Sequence, residues 1–234
     1  MYKDKNVLAL IPARGKSKEL PRKNIIPLLD KPLIAWTIEQ AKESKYVDRV
    51  VVSTEDKEIA EISKKYGAEV PFMRPKRLSS DRTKGIEVVL HAIEFFKNRL
   101  ANNFILLYLQ PTSPLRSAED IDKATEQLGK RCAKAIISVC ECEYHPYLAN
   151  RLPRDGNMKN FLKENIANKN RQDFPKYYRL NGAIYAGYID YIKEKRGFFG
   201  ESTYAYIMPA ERSVDINNKM DLIFAEFLLE RNRK

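Results

Sequence analysis

The sequence predicts an α/β fold: a Rossmann-like, mostly parallel sheet with helices on both faces. Three observations lead there. Short β-branched runs such as Arg49–Ser53 and Ala135–Val139 read as strands buried on both faces. Segments with apolar residues every three or four positions alternate with them, as crossover helices do. Turn formers and polar side chains then cluster just past the strands, where open sheets of this kind bind ligands.

Taken in order, Val7 to Pro12 is a first strand, followed by a helix from Pro32 to Ala41 with Leu33, Trp36, Thr37 and Gln40 at helical spacing. Arg49–Ser53 is the second strand. Thr54 or Glu55 opens a helix that closes near Gly67, and Ala68 to Phe72 is a short third strand. Gly85 to Phe96 is helical, and Phe104 to Leu109 is the strongest strand of the chain. Ser117 caps the next helix, with Asp120 completing an acidic capping box. After Ala135–Val139 the pattern breaks over 140–178, where prolines, Asn and basic residues show no period. A plain loop of that length is improbable in a compact domain. The expectation is a small β-hairpin excursion about Asp155-Gly156, serving dimerisation or as a lid. Strands return at Gly182–Tyr188 and Ala205–Met208, and an amphipathic helix runs from Met220 to Leu229.

The 234 residues, 44% hydrophobic and 31% charged, suit a single domain over 1–234. Apolar runs stop at five or six residues, far short of the roughly 20 that cross a bilayer. No signal-peptide core follows Met1, and the three cysteines lack zinc spacing, so a reduced, cytoplasmic protein is expected, with no membrane partner. A net charge of +11 raises nucleic-acid binding as a competing class. Its lysines and arginines are spread through every segment without a recognition helix, RNA-binding aromatics or a zinc finger, so no nucleic-acid partner is expected.

The stretch Ile11 to Asn24 carries Arg14, Lys16, Lys18, Arg22 and Lys23 against one acid, with Gly15, Ser17 and Pro21 interleaved. A strand-end loop of that charge is built to meet a polyanion. Neither G-x-G-x-x-G nor G-x-x-x-x-G-K-[S/T] is present, which argues against an NAD enzyme or a P-loop NTPase. No Ser/His/Asp or Cys/His set suggests covalent catalysis; His91 falls in a helix, and His145 precedes Pro146 in the excursion.

Ile11 to Asn24 resembles the N-terminal signature of the acylneuraminate cytidylyltransferases, the CMP-sialic acid synthetases. Val52–Asp56, Arg74-Pro75 with Leu78–Asp81, Leu109–Arg116, Arg179–Tyr185 and Ser213–Asn217 resemble further segments of that family, in the same order. The resemblance implies a CTP-dependent nucleotidyltransferase that moves CMP from CTP to a nine-carbon acidic sugar and releases pyrophosphate. It also implies a homodimer and a product used in surface polysaccharide synthesis. By that resemblance, Arg14, Ser17, Lys23 and Asn24 hold the triphosphate, with Lys23 nearest the α-phosphate. Arg74 holds the cytidine, with Ser80 and Thr83 as neighbours. Gln110, Asn181 and Tyr185 face the sugar acid, Arg171 pairs its carboxylate, and Phe198-Phe199 lines a neighbouring subunit's site. Asp215 is the implied Mg²⁺ ligand. Asn217 stands where the family often has a second aspartate, so its amide oxygen would be an uncharged second ligand. Arg14, Lys23 and Asp215 are thus the implied catalytic set. A legionaminic or pseudaminic acid synthetase is the near alternative. An eight-carbon KDO branch is more distant, since its Q-G-D-E-P-type strand end is absent here.

Overall fold

The computed structural model describes residues 1–97, 104–163, 166 and 169–232. Six strands form one sheet: β1 (Asn6–Pro12), β4 (Arg49–Ser53), β5 (Phe104–Tyr108), β6 (Ala135–Glu141), β7 (Tyr178–Tyr188) and β8 (Thr203–Ile207), in the order β4-β1-β5-β7-β6-β8. The two-residue strands β2 (Pro27–Leu28) and β3 (Lys31–Pro32) pair separately. β1 runs parallel to both β4 and β5, and β6 runs parallel to β8. β7 is reversed against both neighbours. An antiparallel pair such as β6 with β7 needs no crossover helix between its strands.

Helices cover both faces. Ile34 and Ile38 of α1 (Leu33–Glu43), Ile59 of α2 (Lys57–Lys65), and Ile121 and Leu128 of α4 (Ala118–Lys130) pack with Val7, Ala9 and Ile11. On the other face Val89, Ile93 and Phe96 of α3 (Gly85–Phe96), with Ile189 and Ile192 of α5 (Ile189–Lys195), pack with Leu8 and Leu10. Every residue of Val7–Ile11 is therefore buried, which is why that run is uniformly apolar rather than alternating. α6 (Lys219–Asn232) lays Leu222, Ala225 and Leu228 on a third cluster with Leu28, Leu33 and Ile216. Among the described residues no helix is long and apolar enough to cross a membrane.

Two expectations need correction. Ala68–Phe72 is not a continuous strand: it touches β4 only through the bridges Val51–Glu69 and Thr54–Met73. Pro71 lies between them and has no N–H to extend the ladder. The hairpin around Asp155-Gly156 is also absent among the described residues. Gly156 does turn with φ +71°, and its N–H donates to the Pro153 carbonyl at 3.0 Å, but no strands flank it. Residues 146–160 are all exposed, so nothing supplies the buried face that a hairpin needs. The antiparallel pairing lies at the base instead, where Cys140 faces Arg179 and Glu141 faces Tyr178. Above it, His145 packs among Tyr147, Phe174 and Tyr177. Its Nδ1 accepts from the Tyr147 N–H at 3.1 Å, and Nε2 lies 2.9 Å from the Pro175 carbonyl. His145 is a structural knot of this connection.

Candidate active site

A cleft of about 340 Å³ opens beyond the carboxyl ends of β1, β4 and β5. It gathers Arg14, Ser17, Lys23, Asn24, Arg74, Ser80, Thr83, Gln110, Asp215 and Asn217, all of which the sequence singled out. They come from four separate stretches, and the local reasons for each differ.

The basic loop leaves β1 with the Ala13 N–H on the Ser53 carbonyl at 3.0 Å, and Asn24 Nδ2 donates to the Arg14 carbonyl at 2.9 Å. Asn24 is thereby a brace within the loop, buried to 7% exposure. Gly15 gives its N–H to Glu55 Oε1 at 2.8 Å, and a Cβ there would lie 2.4 Å from Asp56 Oδ2. Only glycine permits that approach. Arg22, in the left-handed region at φ 57°, turns out of the loop to Asp56 and Glu58, each at 2.5 Å. Asp56 is also the N-cap of α2, so Arg22 anchors the loop to that helix.

Arg74 is 5% exposed; its Nη2 donates to Glu55 Oε2 at 2.8 Å and its Nε to Ser79 Oγ at 3.0 Å. Burial alone would push the Glu55 carboxyl up, but the bonds from Arg74 and Gly15 hold it below the usual value. Glu55 therefore ties the basic loop to the buried arginine with one carboxylate. Sequence reasoning gave it no role, although it stands inside the Val52–Asp56 segment.

Across the cleft, Lys23 Nζ donates to Asn217 Oδ1 at 3.1 Å, and Asn217 Nδ2 donates to Asp215 Oδ2 at 2.9 Å. Burial lowers the Lys23 pKa from the ordinary lysine value, while Asp215 opposes that shift. The 215–217 loop is fixed from behind, since the Asn217 and Asn218 N–H groups donate to Asp221 Oδ2 at 2.7 and 2.9 Å. Among the described residues no three His, Cys, Asp or Glu side chains converge as a metal cage. Asp215 fits a hard cation that takes one protein carboxylate and draws its other oxygens from phosphate and water. Asn217 has its amide engaged on both sides, bridging Lys23 to Asp215.

Gln110 packs over Gly182, where φ is +73° and a Cβ would meet Gln110 Oε1 at 2.8 Å. Behind this loop sits Arg116, with 0% exposure, which the sequence did not single out by role. Its Nη1 donates to the Ala183 carbonyl at 2.8 Å and the Gln110 carbonyl at 3.4 Å, and Nη2 to Gln40 Oε1 at 3.3 Å. Burial pushes its pKa down to about 9.

Asn181, Tyr185, Phe198 and Phe199 do not line the cleft. Asn181 is 1% exposed; it accepts from Ser138 Oγ at 2.6 Å and donates to Ser213 Oγ at 2.9 Å, an interior role. Tyr185 stacks edgewise on Tyr108 at 6.0 Å and tilts over Phe198 at 5.5 Å. Phe198 belongs to the core at 7% exposure, whereas Phe199 is 60% exposed, so the aromatic pair divides between interior and surface. The Arg171 side chain lies outside the described residues.

The profile of the family described as Cytidylyltransferase matches residues 8–197. The chain is 35% identical to the pseudaminic acid cytidylyltransferase of Campylobacter jejuni over 97% of each protein. It is also 35% identical to the CMP-N,N'-diacetyllegionaminic acid synthase of Legionella pneumophila, over 97% of this chain and 98% of that one. The solved structure of CMP:2-keto-3-deoxy-manno-octonic acid synthetase complexed with CTP aligns over 97% of this chain and 99% of its own. The TM-score is 0.71 at 16% identity, a likeness of fold. The chain belongs to the cytidylyltransferase family.

Proposed function

We propose that this protein transfers CMP from CTP to a nine-carbon acidic sugar of the sialic acid type, releasing pyrophosphate. The observation that carries the reading is the cleft itself, which sets Arg14, Lys23 and Arg74 beside Ser17, Ser80 and Thr83 and faces them with Asp215. Arg14 and Lys23 with hydroxyl donors suit a triphosphate, and phosphoryl-type transfer is catalysed mainly by positioning and by charge on non-bridging oxygens. Kinship with relatives named for pseudaminic and N,N'-diacetyllegionaminic acids supports a nine-carbon acid as acceptor.

In this reading the anomeric hydroxyl of the sugar attacks the α-phosphorus. The bond to the bridging oxygen breaks, pyrophosphate leaves, and the hydroxyl proton is lost to solvent. Lys23 lies against a non-bridging α-oxygen, Arg14 and Ser17 hold the outer phosphates, and Arg74 holds the cytidine side. Asp215 would hold Mg²⁺ together with phosphate oxygens, and the bound ion would neutralise charge on the triphosphate and pyrophosphate. Gln110 and Arg171 face the sugar acid. A planar guanidinium suits its carboxylate bidentately. A homodimer is part of the proposal. The exposed Tyr144, Leu152 and Met158 of the 142–177 connection, at 83%, 61% and 55%, support a partner surface there.

The test is pyrophosphate release from CTP across sialic, legionaminic, pseudaminic and KDO acids. Release with one or more nine-carbon acids is expected. Release with none of the acids would overturn the reading.

A further inference from the structure

Asp81 stands at the tip of a tight turn on the cleft rim. The Thr83 N–H donates to the Ser80 carbonyl at 3.1 Å, and the Ser80 and Thr83 hydroxyls lie 2.9 Å apart. From there the carboxylate reaches across to the basic loop. Oδ1 accepts from Arg14 Nη1 at 2.7 Å, and Oδ2 meets Lys18 Nζ at 2.9 Å. Both oxygens are thus spent on two cations of the loop assigned to the triphosphate. Lys18 and then Arg14 hold the carboxyl below its usual value, so it is ionised across the working pH range. Little about this contact serves the fold. Asp81 is 45% exposed and Lys18 79%, and exposed ion pairs contribute little to stability.

We propose that Asp81 sets nucleotide affinity: its carboxylate occupies the Arg14–Lys18 pair in the free protein, the triphosphate displaces it, and it returns as pyrophosphate leaves. This rests on the reading of the basic loop as a triphosphate site. A ligand that needs both cations binds with its intrinsic affinity reduced by the fraction of molecules in which the pair is open. A ligand without phosphates does not meet that reduction. Asp81 therefore weakens CTP and pyrophosphate alike and leaves the nucleoside untouched. The consequence is faster pyrophosphate departure, bought with a higher CTP requirement.

The experiment is calorimetric titration of inorganic pyrophosphate, CTP and cytidine into the full chain and into Asp81→Asn, at one fixed salt concentration. The Asn side chain keeps the size and removes the charge. Pyrophosphate and CTP are expected to bind the variant about threefold to tenfold more tightly, by the same factor, with cytidine unchanged. Pyrophosphate binding that is equal or weaker in Asp81→Asn overturns the inference, because a carboxylate that merely holds Arg14 in place gives that result. Should the wild type bind CTP and release pyrophosphate while Asp81→Asn gains nothing, this inference alone fails. Should the wild type bind neither pyrophosphate nor CTP, the triphosphate reading fails and takes the inference with it.

Discussion

The cleft and the 142–177 connection are built in opposite ways. At the carboxyl ends of β1, β4 and β5, polar groups are tied to one another: Glu55 joins Gly15 to Arg74, Asn24 braces Arg14, and Arg22 is anchored on α2. In the 142–177 connection, residues 146–160 are exposed, and His145 packs with Tyr147 and Tyr177 in a knot among the described residues. The difference teaches where precision is needed. Charge that develops at a transferred phosphorus rewards cations that do not have to reorganise. Recognition of one sugar acid among several can be left to a surface that changes without disturbing that frame.

The comparison can be broken or sharpened by substitution. The largest effect is expected for Lys23→Ala, which should lower kcat about 100- to 1000-fold, the range for loss of one preorganised donor, with little change in sugar KM. Steady-state kinetics with each substrate varied in turn measure it. The same residue carries a pH signature. Burial, opposed by Asp215, places its folded pKa below the ordinary lysine value of 10.5. Lysine is charged below its pKa, so activity should begin to fall on the alkaline side earlier than a free lysine would dictate. Lys23→Arg should remove that limb from the kcat profile, and a limb that persists unchanged assigns it to another group.

Next in size is Glu55→Ala, which leaves the buried Arg74 guanidinium without its carboxylate and should cost about 3 kcal/mol, read as a lower urea midpoint at constant slope. An unchanged midpoint would mean that the cleft wall is not fastened in the way described. The smallest effect is expected in the 142–177 connection. Arg171→Ala should raise sugar KM about tenfold while leaving the urea midpoint and CTP KM within error. Untouched sugar kinetics would transfer the carboxylate contact to another arginine of that basic stretch.

The order of strands and helices was legible because both faces of the sheet are covered, which makes β1, β4 and β5 continuous apolar runs. Gly85–Phe96 and the Ser117–Asp120 capping box were read at their observed positions for the same local reasons. The reversal of β7 was not legible, since strand direction depends on the path of the 142–177 connection and not on periodicity. Within the cleft, residues on short strand-end loops came together as expected. Asn181 did not, because the alternation of β7 turns it inward to Ser138 and Ser213. Glu55 and Arg116 were missed for a common reason. Each acts by holding other groups across about 20 to 70 residues of sequence, Arg74 for the one and the Ala183 carbonyl for the other, and no local motif marks such contacts.

The most direct test of the division between the two regions is CTP binding in the absence of any sugar acid, measured for the wild type, Arg14→Ala and Arg171→Ala. Wild type and Arg171→Ala should bind CTP with the same Kd, and Arg14→Ala should bind at least about tenfold more weakly. A loss of CTP affinity in Arg171→Ala as large as that in Arg14→Ala would contradict the account.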